Sequence, residues 1–231
     1  MELKGAGYSY ETFTLGPVNW SIRAGTRSAL VGPNGAGKTT LLNLLAGQQS
    51  PSRGLMFIDG RDVTSRAIVV RATVGLVPER LLCCPWMTAS QHFDLQGSFF
   101  PSWDRVLARD LASRLSLDLS AKLGQLSRGT SLKVSLCCAL AQGAGILLLD
   151  EPTAGLDPVA RSEFLSVLTE MLTDRENLSV VFATHILEDL DELRPTEMML
   201  LRAGQASLHP VVTDEVTRAS DVARRELQKC Q

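Results

Sequence analysis

Nine consecutive residues, "GPNGAGKTT" (32–40), carry the clearest chemistry in the chain. They fit the pattern G-x-x-x-x-G-K-[ST], in which glycines let backbone N–H groups face an anion and a helix N-terminus adds partial positive charge. Gly32, Pro33, Asn34, Gly35, Ala36, Gly37, Lys38, Thr39 and Thr40 are therefore a candidate phosphate cradle. Lys38 is expected to contact the β- and γ-phosphates of a nucleotide, and Thr39 to ligate Mg²⁺. A second stretch, "ILLLDEPTAGLDP" (146–158), sets two carboxylates directly after four apolar residues. Asp150 suits the Mg²⁺ shell through water, and Glu151 suits polarisation of an attacking water.

These groups need a scaffold that brings distant segments to one edge. Short apolar runs at 28–31 ("SALV"), 72–77 ("ATVGLV"), 146–150 ("ILLLD") and 178–184 ("LSVVFAT") read as buried strands. Helical patterns alternate with them; "KTTLLNLLAG" carries leucines on one face and ends at Gly47. The alternation predicts an α/β fold with a mainly parallel sheet, which delivers Asp150 to the carboxyl edge where such sheets bind ligands. From Pro85 to Leu140 the pattern is helical, with Ser102 expected to cap a helix carrying Leu107, Leu111 and Leu115. The first ~25 residues read as antiparallel strands, and the tail "DEVTRASDVARRELQKCQ" as a charged surface helix. The expected organisation is one domain over 1–231, with a core at 1–84 and 141–210, a helical subdomain at 85–140 and a tail helix at 211–231.

Composition narrows the function classes. With 45% hydrophobic residues the 231-residue chain can bury a sizeable core. Its 23 basic and 25 acidic residues give a net charge of −2, with no basic stripe, so nucleic acid is not an expected partner. No apolar run approaches the ~20 residues that cross a bilayer. "MELKGAGYSY" lacks the apolar core of a signal peptide. Cys83–Cys84 and Cys137–Cys138 are vicinal pairs without zinc-site spacing, and read as small buried hydrophobes.

In the order "GPNGAGKTT", "LSRGT", "ILLLDEP", "AGLDP" and "ATH", roughly residues 1–205 resemble the ATP-binding subunits of ABC transporters. The resemblance implies a P-loop NTPase core of RecA-like type, an N-terminal antiparallel β subdomain and an inserted α-helical subdomain. It also implies ATP and Mg²⁺ as ligands, ATP hydrolysis, and a head-to-tail dimer in which each signature loop caps the nucleotide held by the other subunit. The usual signature is Leu-Ser-Gly-Gly-Gln; here Leu126, Ser127 and Gly129 are kept, whereas Arg128 and Thr130 depart from it. By the same resemblance, Ser127 hydrogen-bonds the γ-phosphate and Gly129 allows close backbone approach. His185 contacts the γ-phosphate and orients the water, and Asp157 links the two sites. Tyr10, or Tyr8 in its place, stacks on adenine. Glu79 takes the place of the family's Q-loop glutamine; a carboxylate there still ligates Mg²⁺ but adds negative charge near the phosphates.

"PWMT", "FFPSWD" and "LSRGTSLKVSL" further resemble the bacterial exporter branch related to bacitracin-resistance and other peptide or drug exporters. That implies a separate integral membrane permease subunit, a homo- or heterodimer of ATP-binding subunits, and a cytoplasmic location on the inner face of the membrane. Trp86, Met87, Phe99 and Phe100 are expected either to line a groove for the permease or to pack in the core. Two other functions fit the motifs: a non-transport ABC ATPase, and a weakly hydrolysing regulatory module. Lys38, Asp150, Glu151 and His185 argue against the latter.

Overall fold

The structure, a computed structural model, describes residues 1–211 and 218–229. Residues 212–217 and 230–231 of the expected tail lie outside the described residues. An antiparallel sheet of four strands is formed by β1 (Glu2–Ser9), β2 (Thr14–Ser21), β4 (Arg53–Ile58) and β5 (Arg61–Asp62), in the order β2-β1-β4-β5. A six-stranded sheet contains β3 (Arg27–Val31), β6 (Val74–Val77), β7 (Ile146–Asp150), β8 (Ser179–Thr184), β9 (Glu197–Arg202) and β10 (Gln205–Pro210). Its order is β10-β9-β3-β8-β7-β6, and all pairs are parallel except β10 with β9.

The central strands read as continuous apolar runs because both of their faces are covered. Leu147, Leu149, Val180, Phe182, Met198 and Leu200 point into one core, shared with the helices. Their neighbours Leu148, Val181, Ala183, Met199 and Leu201 point into the other, shared with the antiparallel sheet and α1 (Lys38–Leu45). Alternation survives as a choice between two cores rather than between core and water.

The helical segment contains α3 (Ala89–Phe99), α4 (Arg105–Arg114) and α5 (Arg128–Ala141), with no strand among them. The cap of α4 is Asp104, not Ser102. The Asp104 carboxylate accepts the Leu107 N–H at 2.8 Å, and its own N–H donates to Ala141 O at 2.7 Å. That second bond ties the start of α4 to the end of α5 and selects Asp104 over its neighbour. The strand expected at 72–77 begins only at Val74, because α2 (Ala67–Thr73) runs through Ala72 and Thr73. Among the four aromatic or Met positions near the helical subdomain, Trp86 and Phe99 are exposed, while Met87 packs against the helical core.

Two further helices complete the core, α6 (Pro158–Thr173) and α7 (Glu188–Leu193), and the tail forms α8 (Ala219–Lys229). α8 lies on the surface and packs one face against the fold through buried Ala219 and Ala223. Its Ser220 N–H and hydroxyl donate to the Asp191 carboxylate at 2.9 and 2.8 Å. The described cysteines form no disulfide; Cys137 is buried, which pushes its thiol up to about 12.

Candidate nucleotide-binding site

Four parallel strands end at one edge, and each hands a predicted site residue to the loop that follows it. β3 leads into the phosphate loop, β6 into Pro78 and Glu79, β7 into Asp150 and Glu151, and β8 into His185. A cavity of about 270 Å³ opens there, lined by Asn34, Gly35, Gly37, Lys38, Thr39 and Thr40 together with Glu79, Glu151 and Phe13. The structure therefore brings together residues that are over a hundred positions apart.

Lys38 opens α1 and is 7% exposed. Its ammonium donates to Gly32 O at 2.8 Å and Pro33 O at 3.4 Å, and lies 3.4 Å from Glu151 Oε1. The loop closes on itself through this cation. Gly37 has φ 107, and a Cβ there would lie 2.8 Å from the Phe13 ring, so only glycine fits. Ala36 is buried behind the loop, joining the core around α1.

Glu151 has φ 48, a left-handed conformation that costs a non-glycine residue roughly 1–2 kcal/mol. It is held there by its N–H to Ala183 O at 3.0 Å and by its side chain. Glu151 Oε2 lies 2.6 Å from His185 Nδ1 and accepts the His185 N–H at 3.3 Å. One carboxylate thus spans a cation on one oxygen and an imidazole on the other, an arrangement suited to aligning and polarising a water.

Asp150, at the end of β7, is 9% exposed, and its Oδ1 has no hydrogen-bond partner. Burial raises its carboxyl above the usual range; a hydrogen bond from Thr39 opposes this, the Glu151 and Glu79 carboxylates add to it, and Lys38 offsets part. A buried, unpartnered carboxylate oxygen beside a threonine hydroxyl fits a hard cation such as Mg²⁺ or its bound water. For an acid whose pKa is raised by folding, the stability it contributes is present below about pH 3.8 and lost as pH rises through the folded value. Asp150→Asn is therefore expected to melt at a higher temperature than the unsubstituted protein at pH 7, and to lose most of that advantage near pH 4. Scanning calorimetry at the two pH values checks it. A lower melting temperature for Asp150→Asn at pH 7 would contradict this account of Asp150.

The remaining predicted residues lie outside the cavity lining. Asp157 caps α6, accepting the N–H groups of Val159 and Ala160 at 3.0 Å. Tyr10 is 44% exposed, bonds Gln49 through its hydroxyl and packs edge-on against Tyr8 at 4.8 Å between ring centroids. The aromatic that lines the cavity is Phe13, which sequence reasoning missed; nothing in its local pattern marks it. Ser127 is exposed and caps α5, its Oγ accepting the Thr130 N–H at 3.1 Å. A Cβ at Gly129 would meet nothing closer than 3.6 Å, so packing within the chain does not require glycine there.

Glu79 faces both ways. It lines the phosphate cavity, and its Oε1 lies 3.6 Å from Arg128 Nη2. Of the three departures noted in the sequence, Glu79, Arg128 and Thr130, the first two are an ion pair. Arg128 was missed as a partner, although a gained acid and a gained base are the signal that could have found it.

Comparison with known proteins gives a consistent picture. The profile of the family described as "ABC transporter" matches residues 15–154. Nod factor export ATP-binding protein I of Sinorhizobium fredii is 31% identical over 199 residues, covering 84% of this chain and 57% of that protein. Thiamine import ATP-binding protein ThiQ of Photorhabdus laumondii is 32% identical over 206 residues, covering 87% and 86%. Human glucosylceramide transporter ABCA12 is 29% identical over 194 residues, which is 81% of this chain; the chain spans only 7% of that protein. Among solved structures, the dimeric post-hydrolysis state of the ATP-binding cassette MJ0796, bound to ADP and Pi, superposes with a TM-score of 0.80. It is 22% identical, and covers 92% of this chain and 99% of that one.

Proposed function

Because the chain belongs to the ABC transporter family, we propose that it binds and hydrolyses Mg-ATP in a head-to-tail pair of ATP-binding subunits that drives a separate membrane permease. The observation that carries the two-subunit site is the tip of α5. Ser127 is exposed there, Gly129 has room for a side chain its own fold would tolerate, and neither lines the chain's own cavity. A hydroxyl and a bare backbone presented outward at a helix N-terminus suit the γ-phosphate of a nucleotide held by another subunit.

On this reading the phosphate-loop N–H groups and Lys38 hold the triphosphate of the same chain. Thr39, Asp150 and Glu79 would hold Mg²⁺, which when bound neutralises charge on the β- and γ-phosphate oxygens. Glu151 takes up the proton of the attacking water, while His185 fixes the Glu151 carboxylate and reaches the γ-phosphate. Asp157, at the start of α6, touches the second subunit, and Tyr10 offers its ring to adenine.

No helix among the described residues is long and apolar enough to cross a membrane, so attachment to the inner face of the membrane would come through the permease. The exposed Trp86 and Phe99 are proposed to meet it. Export is the favoured direction on the "LSRGT" and "FFPSWD" patterns; the named relatives include both an exporter and an importer.

Complementation tests the two-subunit site. At an ATP concentration well below the weakened affinity of Lys38→Ala, Ser127→Arg and Lys38→Ala are each expected to lack measurable hydrolysis alone. In a homodimer, an equal mixture should recover about a quarter of the unsubstituted rate, since half of the pairs are mixed and each mixed pair has one intact site of two. Normal hydrolysis by Ser127→Arg alone would remove the signature from the γ-phosphate.

A further inference from the structure

Asp189, on α7, is a charged residue at 1% exposure, outside every motif named above. Lone buried carboxylates are costly, so its partners show what it is for. Asp189 Oδ2 accepts the hydroxyl of Thr153 and, at 3.0 Å, the hydroxyl of Thr184. Asp189 Oδ1 is held by Arg161, from Nε at 2.8 Å and Nη2 at 2.7 Å.

Each partner has a meaningful place in the chain. Thr153 lies two residues after Glu151, and Thr184 immediately precedes His185. One carboxylate oxygen therefore clamps the two loops that carry the 2.6 Å Glu151–His185 contact. Arg161 belongs to the first turn of α6, where its N–H donates to Asp157 O at 2.9 Å. The same carboxylate thus joins the Asp157 end of α6 to those loops. Thr153 and Thr184 are each 1% exposed, so water cannot replace the clamp without reopening the packing.

We propose that Asp189 is the positioning residue of the site: through Thr153 and Thr184 it sets Glu151 against His185, and through Arg161 it fixes both to the start of α6. It touches no phosphate and acts through its neighbours. The proposal rests on the ATP hydrolysis reading above, and predicts a loss in kcat without a loss in nucleotide affinity. Misplacing a reacting group by about 1 Å costs on the order of 100-fold in rate.

The test compares Asp189→Asn, Thr153→Val and Thr153→Ser with the unsubstituted protein, measuring Mg-ATP affinity, KM, kcat and imidazole NMR signals. The chain has three histidines, so the His185 ring can be told apart from those of His92 and His209. Asp189→Asn and Thr153→Val are expected to lose about 10- to 100-fold in kcat with affinity and KM within about threefold. The His185 signal should shift while the other two stay. Thr153→Ser, which keeps the hydroxyl, should restore both rate and signal.

If Asp189→Asn fails to fold, the Thr153 pair decides. Unchanged kcat and an unmoved His185 signal in Thr153→Val and in any folded Asp189→Asn would overturn the proposal. So would equal losses in affinity and rate, which would make Asp189 a general support of the fold. If the unsubstituted protein fails to hydrolyse ATP, the function reading falls, while the His185 signal still judges the clamp.

Discussion

Glu151→Gln is expected to hydrolyse ATP about 1,000-fold more slowly than the unsubstituted protein while binding Mg-ATP as well or better. The substitution keeps the side-chain volume and an oxygen that can face His185, but removes the proton acceptor. Nucleotide affinity should survive because the phosphate loop is untouched and Lys38 is released from its 3.4 Å contact with a carboxylate. With hydrolysis blocked, the ATP-bound subunit pair should accumulate, since a ligand that binds the pair and is not consumed shifts the population toward it. Size-exclusion chromatography with ATP, alongside phosphate release, checks both parts. A Glu151→Gln protein with full activity would remove Glu151 from the role of base.

Lys38→Ala should act on binding instead, weakening Mg-ATP affinity about 10- to 100-fold through the loss of a charge-assisted phosphate contact. The structure adds a second consequence. Glu151 is 14% exposed at its side chain, and without Lys38 its carboxylate loses the cation beside Oε1. Lys38→Ala should therefore also unfold more easily. Glu151→Gln in the same chain should restore the stability, because no stranded charge remains, without restoring affinity. Fluorescent-nucleotide titration and thermal melts separate the two effects. Unchanged affinity in Lys38→Ala would place the lysine away from the phosphates.

Much of this site was legible in the sequence because its chemistry is local. The phosphate loop, the acidic end of β7 and the histidine after β8 each sit within a few residues of an apolar run, and parallel pairing carries all three to one edge. β4 and the two-residue β5 were missed, since three of the residues of β4, Gly54 among them, are exposed and β5 is too short to show a period. β9 was missed because "MMLL" lacks the β-branched residues that mark strands. Asp104 and Ser102 are equally good caps on paper, and the bond from Asp104 to Ala141, 37 residues on, decides between them. Asp189 was hidden for a related reason. It stands among Glu188, Asp191 and Glu192, in a run that reads as solvent-facing, and acids are rarely buried this completely. Only the fold reveals that Thr153, Arg161 and Thr184 converge on it.

The pairing of Glu79 with Arg128 bears on how charge is balanced beside the cavity. With side chains 51% and 37% exposed, the pair adds little to stability, at most about 1 kcal/mol. Its effect is on charge: the acid near the phosphates is matched by a base at the tip of α5. Replacing either side chain by a neutral one leaves a lone charge at this crossing point, a carboxylate at the cavity or a guanidinium without its acid. The two side chains therefore act as one electrostatic unit, and neutralising Glu79 alone would leave the Arg128 guanidinium unbalanced at the tip of α5.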